Sequence, residues 1–436
     1  MVDLLEINIP EKRVEMASSS QRKRRRRRIR KRRRRNEKRV KAPSSLPNDV
    51  LEEIFLRFPV KAIIRLKSLS KQWRSTIESR SFEERHLKIA KQACIDHPKV
   101  MIVTEEDPLR GPGLRPDTDI GFRLFCLESA SLLSFTRINF SPGFLHRNQI
   151  SESCDGLFCI HSPKSHSIYV VNPATRWFRQ LPPARFQILN HKFNYLTDRE
   201  WNREVQSVAF VKATDYKLVW LYNSGKYNDD PSSPNKGVTK CEVFDFRANA
   251  WRYLAFTPSH RIYHDQKPAY ANGSVYWFTE PDNARIEVVA LDIHTETFRL
   301  LSKINPAIAG SDPHHIDMCT LDNSLCMSKR EDVTMIQEIW RLKPSEDTWE
   351  KIFTIDLLSC PSSRVESRDL FKWSQKDMVE PSTPVAVCKN KKLLLSHRYS
   401  RGLVKYDPLT KSLDFFFRHP WSKRKVTYFQ SLISHL

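Results

Sequence analysis

From Val100 onward the chain repeats one pattern, and that repetition constrains the fold more than any other feature. A strand-like apolar run leads into a polar turn, and a large aromatic or aliphatic residue follows six positions after the turn opens. The instances run from Asn172 to Phe178, Asp245 to Trp251, Asp292 to Phe298, Lys343 to Trp349 and Asp407 to Leu413. An Asp or Asn at the head of a turn accepts hydrogen bonds from amides two residues on, and the late large residue is placed to return to a sheet's buried face. Four of the five have a second turn signal upstream: Asp155-Gly156, Asn272-Gly273, Asp322-Asn323 and Lys389-Asn390. Hairpin, strand, turn, strand is the composition of a propeller blade. Successive openers lie 73, 47, 51 and 64 residues apart, against about 50 for a kelch-type blade. The longer gaps imply loop insertions such as Lys226 to Gly237, or an unrecognised blade, for which Leu109 to Phe140 is available.

A different pattern precedes this one. Between Leu46 and Ala90 the sequence predicts three short helices, the first opened by Leu46-Pro47 with Asn48 or Asp49 as its cap and Glu52 and Glu53 in its first turn. On a wheel of about 100° per residue, Val50, Leu51, Ile54, Phe55 and Phe58 share one arc, and Leu56 lies outside it, pointing away from the local core. Pro59 starts a second helix in which Val60, Ala62, Ile63, Ile64, Leu66 and Leu69 leave only a polar strip of Lys61, Arg65 and Ser68. Trp73 and Ile77 share a face of the third, with Phe82 further along. So short a segment cannot cover this much apolar side chain by itself, which implies a partner.

This segment resembles an F-box. Leu46-Pro47, Leu51, Ile54, the Phe58-Pro59-Val60-Lys61 turn, Arg65 and Ser70-Lys71-Gln72-Trp73-Arg74 stand in the family's order, with Ser68 where the plant form often has cysteine. The resemblance implies docking to the Skp-type linker protein of a cullin-RING ubiquitin ligase, and the side chains assigned to that contact are Leu46, Pro47, Leu51, Ile54, Leu56, Leu66 and Trp73. Downstream, Ser153-Cys154-Asp155-Gly156-Leu157-Phe158, Val171-Asn172-Pro173-Ala174-Thr175 and Asp215-Tyr216-Lys217-Leu218-Val219 resemble the plant F-box-associated domain, while the Gly-Gly pair of kelch repeats is missing. The expected fold is multidomain α+β: a basic tail over 1–43 expected to be disordered, an F-box over 44–90, and an all-β, propeller-like domain over 95–430 that selects a protein target.

Charge and composition narrow the rest. The formal net charge of +23 is concentrated between Arg22 and Lys41, where 16 Lys or Arg meet one acid, Glu37. Such a block repels itself and buries no core. Its arginines, Arg24, Arg25, Arg26, Arg27, Arg28, Arg32, Arg33, Arg34 and Arg35, suit a nuclear import receptor and also nonspecific contact with nucleic acid by counterion release. The expected location is the nucleus, with the cytoplasm second. Nine cysteines without a C-x-x-C pair indicate a reducing compartment and no zinc finger, and no apolar run is long enough to span a membrane. His314-His315-x-Asp317 with Cys319 reads as a surface loop, because successive residues on a strand point to opposite faces. Cys154 reads as a small residue before a turn, with no neighbouring base or oxyanion hole. With only 10 glycines and no phosphate-cradling loop, no cofactor and no catalysis by this chain are expected. Of six tryptophans on strands or their exits (Trp177, Trp220, Trp251, Trp277, Trp340 and Trp349), most are expected in the core. Deleting residues 22–41 should abolish any steeply salt-dependent binding of RNA or DNA, measured by filter binding from about 50 to 200 mM salt.

Overall fold

A computed structural model describes residues 46–105, 119–140, 149–161, 167–188, 206–223, 239–258, 260–263, 267–281, 286–301, 315–331, 333–343, 348–358, 382–388, 391–397, 402–418 and 422–434. The arginine block, the Lys389-Asn390 turn and His314 lie outside them. The chain divides into two compact units, Met1–Arg57 and Phe58–Leu436.

Among the described residues of the second unit, six four-stranded antiparallel sheets follow one another in sequence as the blades of a propeller. Blade two runs from the strand Gln149–Ile150 to Trp177–Leu181, blade three from Gln206–Lys212 to Ala250–Tyr253, and blade four from Ala269–Ala271 to Phe298–Leu300. Blade five runs from Ile316–Leu321 to Thr348–Asp356 and blade six from Ser382–Val387 to Ser412–Arg418. Blade one is assembled from both ends of this region. Lys99–Glu105, Asp119–Cys126 and Leu132–Asn139 supply three strands, and Ser422–Thr427 pairs with Lys99–Glu105 as the innermost. The stretch put forward as an extra blade therefore contributes two strands to blade one, and the two long gaps between repeats are insertions.

The turn chemistry explains the repeat. Asn172 Oδ1 accepts the amide of Ala174 at 3.0 Å, Asp245 that of Arg247 at 2.7 Å, Asp292 that of His294 at 2.8 Å and Asp407 that of Leu409 at 3.0 Å. Four residues after each opener the backbone turns left-handed, at Arg176, Asn249, Glu296 and Lys411, with φ of 60°, 52°, 57° and 53°. Blade one has the same turn, unrecognised in sequence because its opener is Cys126. Ala130 takes φ 53° at the equivalent place, and the Cys126 amide donates to Ser131 O at 3.0 Å as that of Asp292 does to Thr297 O. The upstream turns at Asp155-Gly156, Asn272-Gly273 and Asp322-Asn323 have both central residues at positive φ, the hairpin geometry that matches strand twist. The returning side chains divide: Leu413 is buried, Trp251 and Phe298 half-buried, and Phe178 46% exposed although it packs 5.5 Å from Phe140. It stands on the outermost strand, where only one side has a neighbour. Trp220 and Trp277 are buried, and the other four named tryptophans half-buried.

The helices are α1 Asn48–Phe55, α2 Val60–Leu66, α3 Lys71–Ile77 and α4 Arg80–Asp96. Ser70 and Ser79 cap α3 and α4 by accepting the amides of Trp73 and Phe82, whereas Pro47 precedes α1 and no side chain caps it, in place of the expected Asn48 or Asp49. A fourth helix, the long α4, is present besides the three expected and runs past Ala90, where the helical segment was expected to end, to Asp96. Its buried side carries Glu83 and His86 among Phe82 and Leu87, and two polar residues at core positions hide the apolar period.

The ring is locked by the segment after its last strand. Tyr428 stacks on Phe158 with centroids 5.5 Å apart, and the buried Asn172 donates to Ser431 O at 3.1 Å and Ile433 O at 2.7 Å. Gly156, at φ 80°, lies so close that a Cβ there would come within 2.7 Å of Phe429 O. Two of the three family-like motifs, Ser153–Phe158 and Val171–Thr175, thus hold the C-terminal segment. Asn172→Ala, which leaves two carbonyls and an amide without this partner, should lower the unfolding free energy by about 1–3 kcal/mol, measured by urea denaturation.

Candidate partner-docking surfaces

In the first unit α1 presents apolar groups to water. Leu46 is 51% exposed, Val50 40% and Ile54 38%, Pro47 is exposed, and Leu51 is half-buried. Phe55 and Leu56 are the buried pair, Leu56 at 1%. The expectation that Leu56 points outward is reversed. The periodicity locates an apolar side of a helix but does not say which part of it is covered; here Val50 and Ile54, one turn apart, are the exposed ones. Leu56 follows the last helical residue in a helix-like conformation, φ −57° and ψ −22°, and offers a partner almost no surface.

In the second unit Val60, Ile63 and Ile77 are buried, Leu66 and Trp73 half-buried, and Phe58 and Leu69 are 37% and 64% exposed. Six of the seven side chains assigned to the linker contact therefore keep accessible surface. Three lie in the first unit's α1 and its entry turn with Pro47 exposed beside them, and Leu66 and Trp73 lie in the second.

Helix α4 mounts on the propeller within the second unit. Lys91 reaches Asp155 at 2.6 Å, Lys212 meets the same carboxylate at 3.2 Å, and the Tyr216 hydroxyl donates to it at 2.9 Å. Burial alone would raise the Asp155 carboxyl, but these three partners outweigh it and hold it below its ordinary range. Leu87 enters the core cluster that includes Leu157, Trp220 and Ile433, and Cys94 Sγ lies 3.9 Å from Tyr428 O. Asp155 belongs to the first turn of blade two and Lys212 and Tyr216 flank that of blade three. In an up-and-down sheet the first and third turns share one end, so α4 sits at the end of the short Asx turns. The other end is where the strands that flank the second turns and the inter-blade connections begin and end, among them the pairs Glu105 and Asp119, Asn223 and Thr239, and Asp356 and Ser382.

The remaining candidates have structural partners. Asp317 accepts a hydrogen bond from Thr383 at 3.1 Å and Cys319 is in the core between blades five and six. Cys154 packs against the blade-two core, and burial pushes its thiol well up. No helix among the described residues is long and apolar enough to cross a membrane.

Glu83 was not legible as a site residue. It is 3% exposed, and burial pushes its carboxyl up to about 8 although Lys67 nearby works against this. A carboxyl whose folded pKa is raised favours the folded state fully below its unfolded pKa of about 4.3, and that contribution is lost as pH climbs toward 8. Glu83→Gln should therefore raise stability on the order of 1–3 kcal/mol at pH 8 and change it little at pH 4, read as melting temperature against pH.

Residues 43–85 match the model of the F-box domain, and residues 129–435 that of the F-box associated beta propeller domain. Among relatives from Arabidopsis thaliana, an F-box/kelch-repeat protein is 81% identical, with 92% of this chain and 93% of its own covered. Two F-box proteins from the same plant are 69% identical (91% and 86% covered) and 35% identical (90% and 99% covered). With a family model spanning most of its length and relatives aligned almost end to end, the chain belongs to the plant F-box proteins that carry an F-box-associated β-propeller.

Proposed function

We propose that the protein is the substrate-recognition subunit of an SCF-type (Skp-cullin-F-box) ubiquitin ligase. The observation that carries this reading is the set of apolar side chains left in water by the helical segment, Leu46 just before α1 and Val50 and Ile54 within it, in a chain whose domains are an F-box and a propeller. Leu46, Pro47, Leu51, Ile54, Leu66 and Trp73 contact the linker. Leu56 supports α1 from within. A large apolar side chain fully buried at such a contact contributes about 1.5–3 kcal/mol.

The chain works without chemistry of its own. Binding a target beside the charged conjugating enzyme raises the effective concentration of its lysines, which speeds transfer. Because α4 occupies the end of the propeller with the short Asx turns, the target docks at the opposite end, where the long connections emerge. The arginine block serves nuclear import and, through the same charges, nonspecific contact with nucleic acid.

Two results test the reading. Leu46→Ala combined with Pro47→Ala, and separately Trp73→Ala, should weaken copurification with the Skp-type linker; unchanged recovery in both would remove the assignment. Leu56→Ala should instead lower the melting temperature, costing about 2–5 kcal/mol as a core truncation.

A further inference from the structure

The helical part of the second unit carries a charge imbalance that the apolar contact leaves unused. Between Phe58 and Ser79 there are five Lys or Arg and one acid, Glu78. Lys67 takes that carboxylate at 3.4 Å. The other four cations, Lys61 and Arg65 on α2 and Lys71 and Arg74 on α3, are exposed, and no carboxylate among the described residues pairs with any of them. Like charges one helical turn apart repel and cost a helix a little stability, and nothing in this stretch offsets that cost.

These charges border the apolar surface. Leu66 follows Arg65 and Trp73 stands between Lys71 and Arg74, both half-buried, while Phe58 and Leu69 are exposed. The two helices pack on each other. Each has seven residues and is therefore about 10 Å long, whereas a stable protein contact of ordinary size covers about 800 Å² of each partner. A protein seated on Leu66 and Trp73 therefore reaches the four cations at its margin.

We propose, resting on the ligase reading above, that the linker surface received by α2 and α3 is acidic around an apolar centre, and that Lys61, Arg65, Lys71 and Arg74 steer it into place. An uncharged surface would strip water from these cations and return nothing, whereas carboxylates return opposite charge. Exposed ion pairs add little to affinity but much to the rate of encounter. The apolar groups thus set how long the complex lasts, and the cations set how fast it forms.

The test is stopped-flow association and dissociation of the full-length chain with the purified Skp-type linker, at about 20 and about 300 mM salt. Wild type is compared with the combined variant K61Q, R65Q, K71Q and R74Q, and with Trp73→Ala. The arginine block is present in all of them, so the differences report the four cations and the tryptophan alone. The combined variant is expected to associate about tenfold more slowly at low salt, to approach the wild-type rate at high salt and to dissociate at nearly the wild-type rate. Trp73→Ala should do the reverse, dissociating faster with association little changed. The combined variant should keep the wild-type melting temperature, having no ion pairs to lose; should it unfold, K61Q with R65Q and K71Q with R74Q carry the comparison, and each pair should lose part of the rate. Equal association rates in wild type and variant at low salt overturn the proposal and leave the ligase reading standing. Weaker binding of an RNA oligonucleotide by the variant, with linker association unchanged, overturns it too and assigns the cations to phosphate. Failure of the wild type to bind the linker at all removes the ligase reading and this proposal with it.

Discussion

Closure of the ring rests on one buried amide. Asn172 accepts the turn amide of Ala174 through its oxygen and donates through its nitrogen to Ser431 and Ile433, so a single side chain shapes a blade-two turn and captures the segment that leaves the last strand. Its environment is dry, where each unmade hydrogen bond is expensive. Gly156 and Phe158 complete the seat, one by absence of a side chain and the other by a stacked ring. The seat adds to the strand pairing of Ser422–Thr427 with Lys99–Glu105 that completes blade one.

Asp155, next to that glycine, fastens the helices. Its carboxylate gathers Lys91 from α4, Lys212 and Tyr216 from blade three. The F-box helices after Phe58 are part of the same compact unit as the propeller, and motions between α4 and the blades must break the ion pairs of a buried carboxylate first. Under the proposed adaptor role, a firm mount at one end leaves the opposite end free to vary in sequence without disturbing it.

The propeller was legible because its turns are written in Asn, Asp and Gly, whose local geometry needs no tertiary context. Blade one escaped because Cys126 stands where the other blades have an Asx residue, and because its fourth strand lies more than 300 positions downstream, which no local pattern encodes. The helical segment was read correctly as surplus-bearing but not in orientation. Leu56 and Val50 exchange their expected roles, since a wheel reports angles and not neighbours. Helix α4 was shortened by the same limitation: Glu83 and His86 look like surface residues until the packing around them is known.

Because the innermost strand of blade one is Ser422–Thr427, the order of synthesis matters. While the ribosome is still making blades two to six, the first sheet waits with three strands, and Lys99–Glu105 offers its bare backbone edge to any extended segment nearby. The nascent chain passes through this stage of edge exposure for well over half of its translation, and the hazard ends only when residues 422–433 emerge and dock.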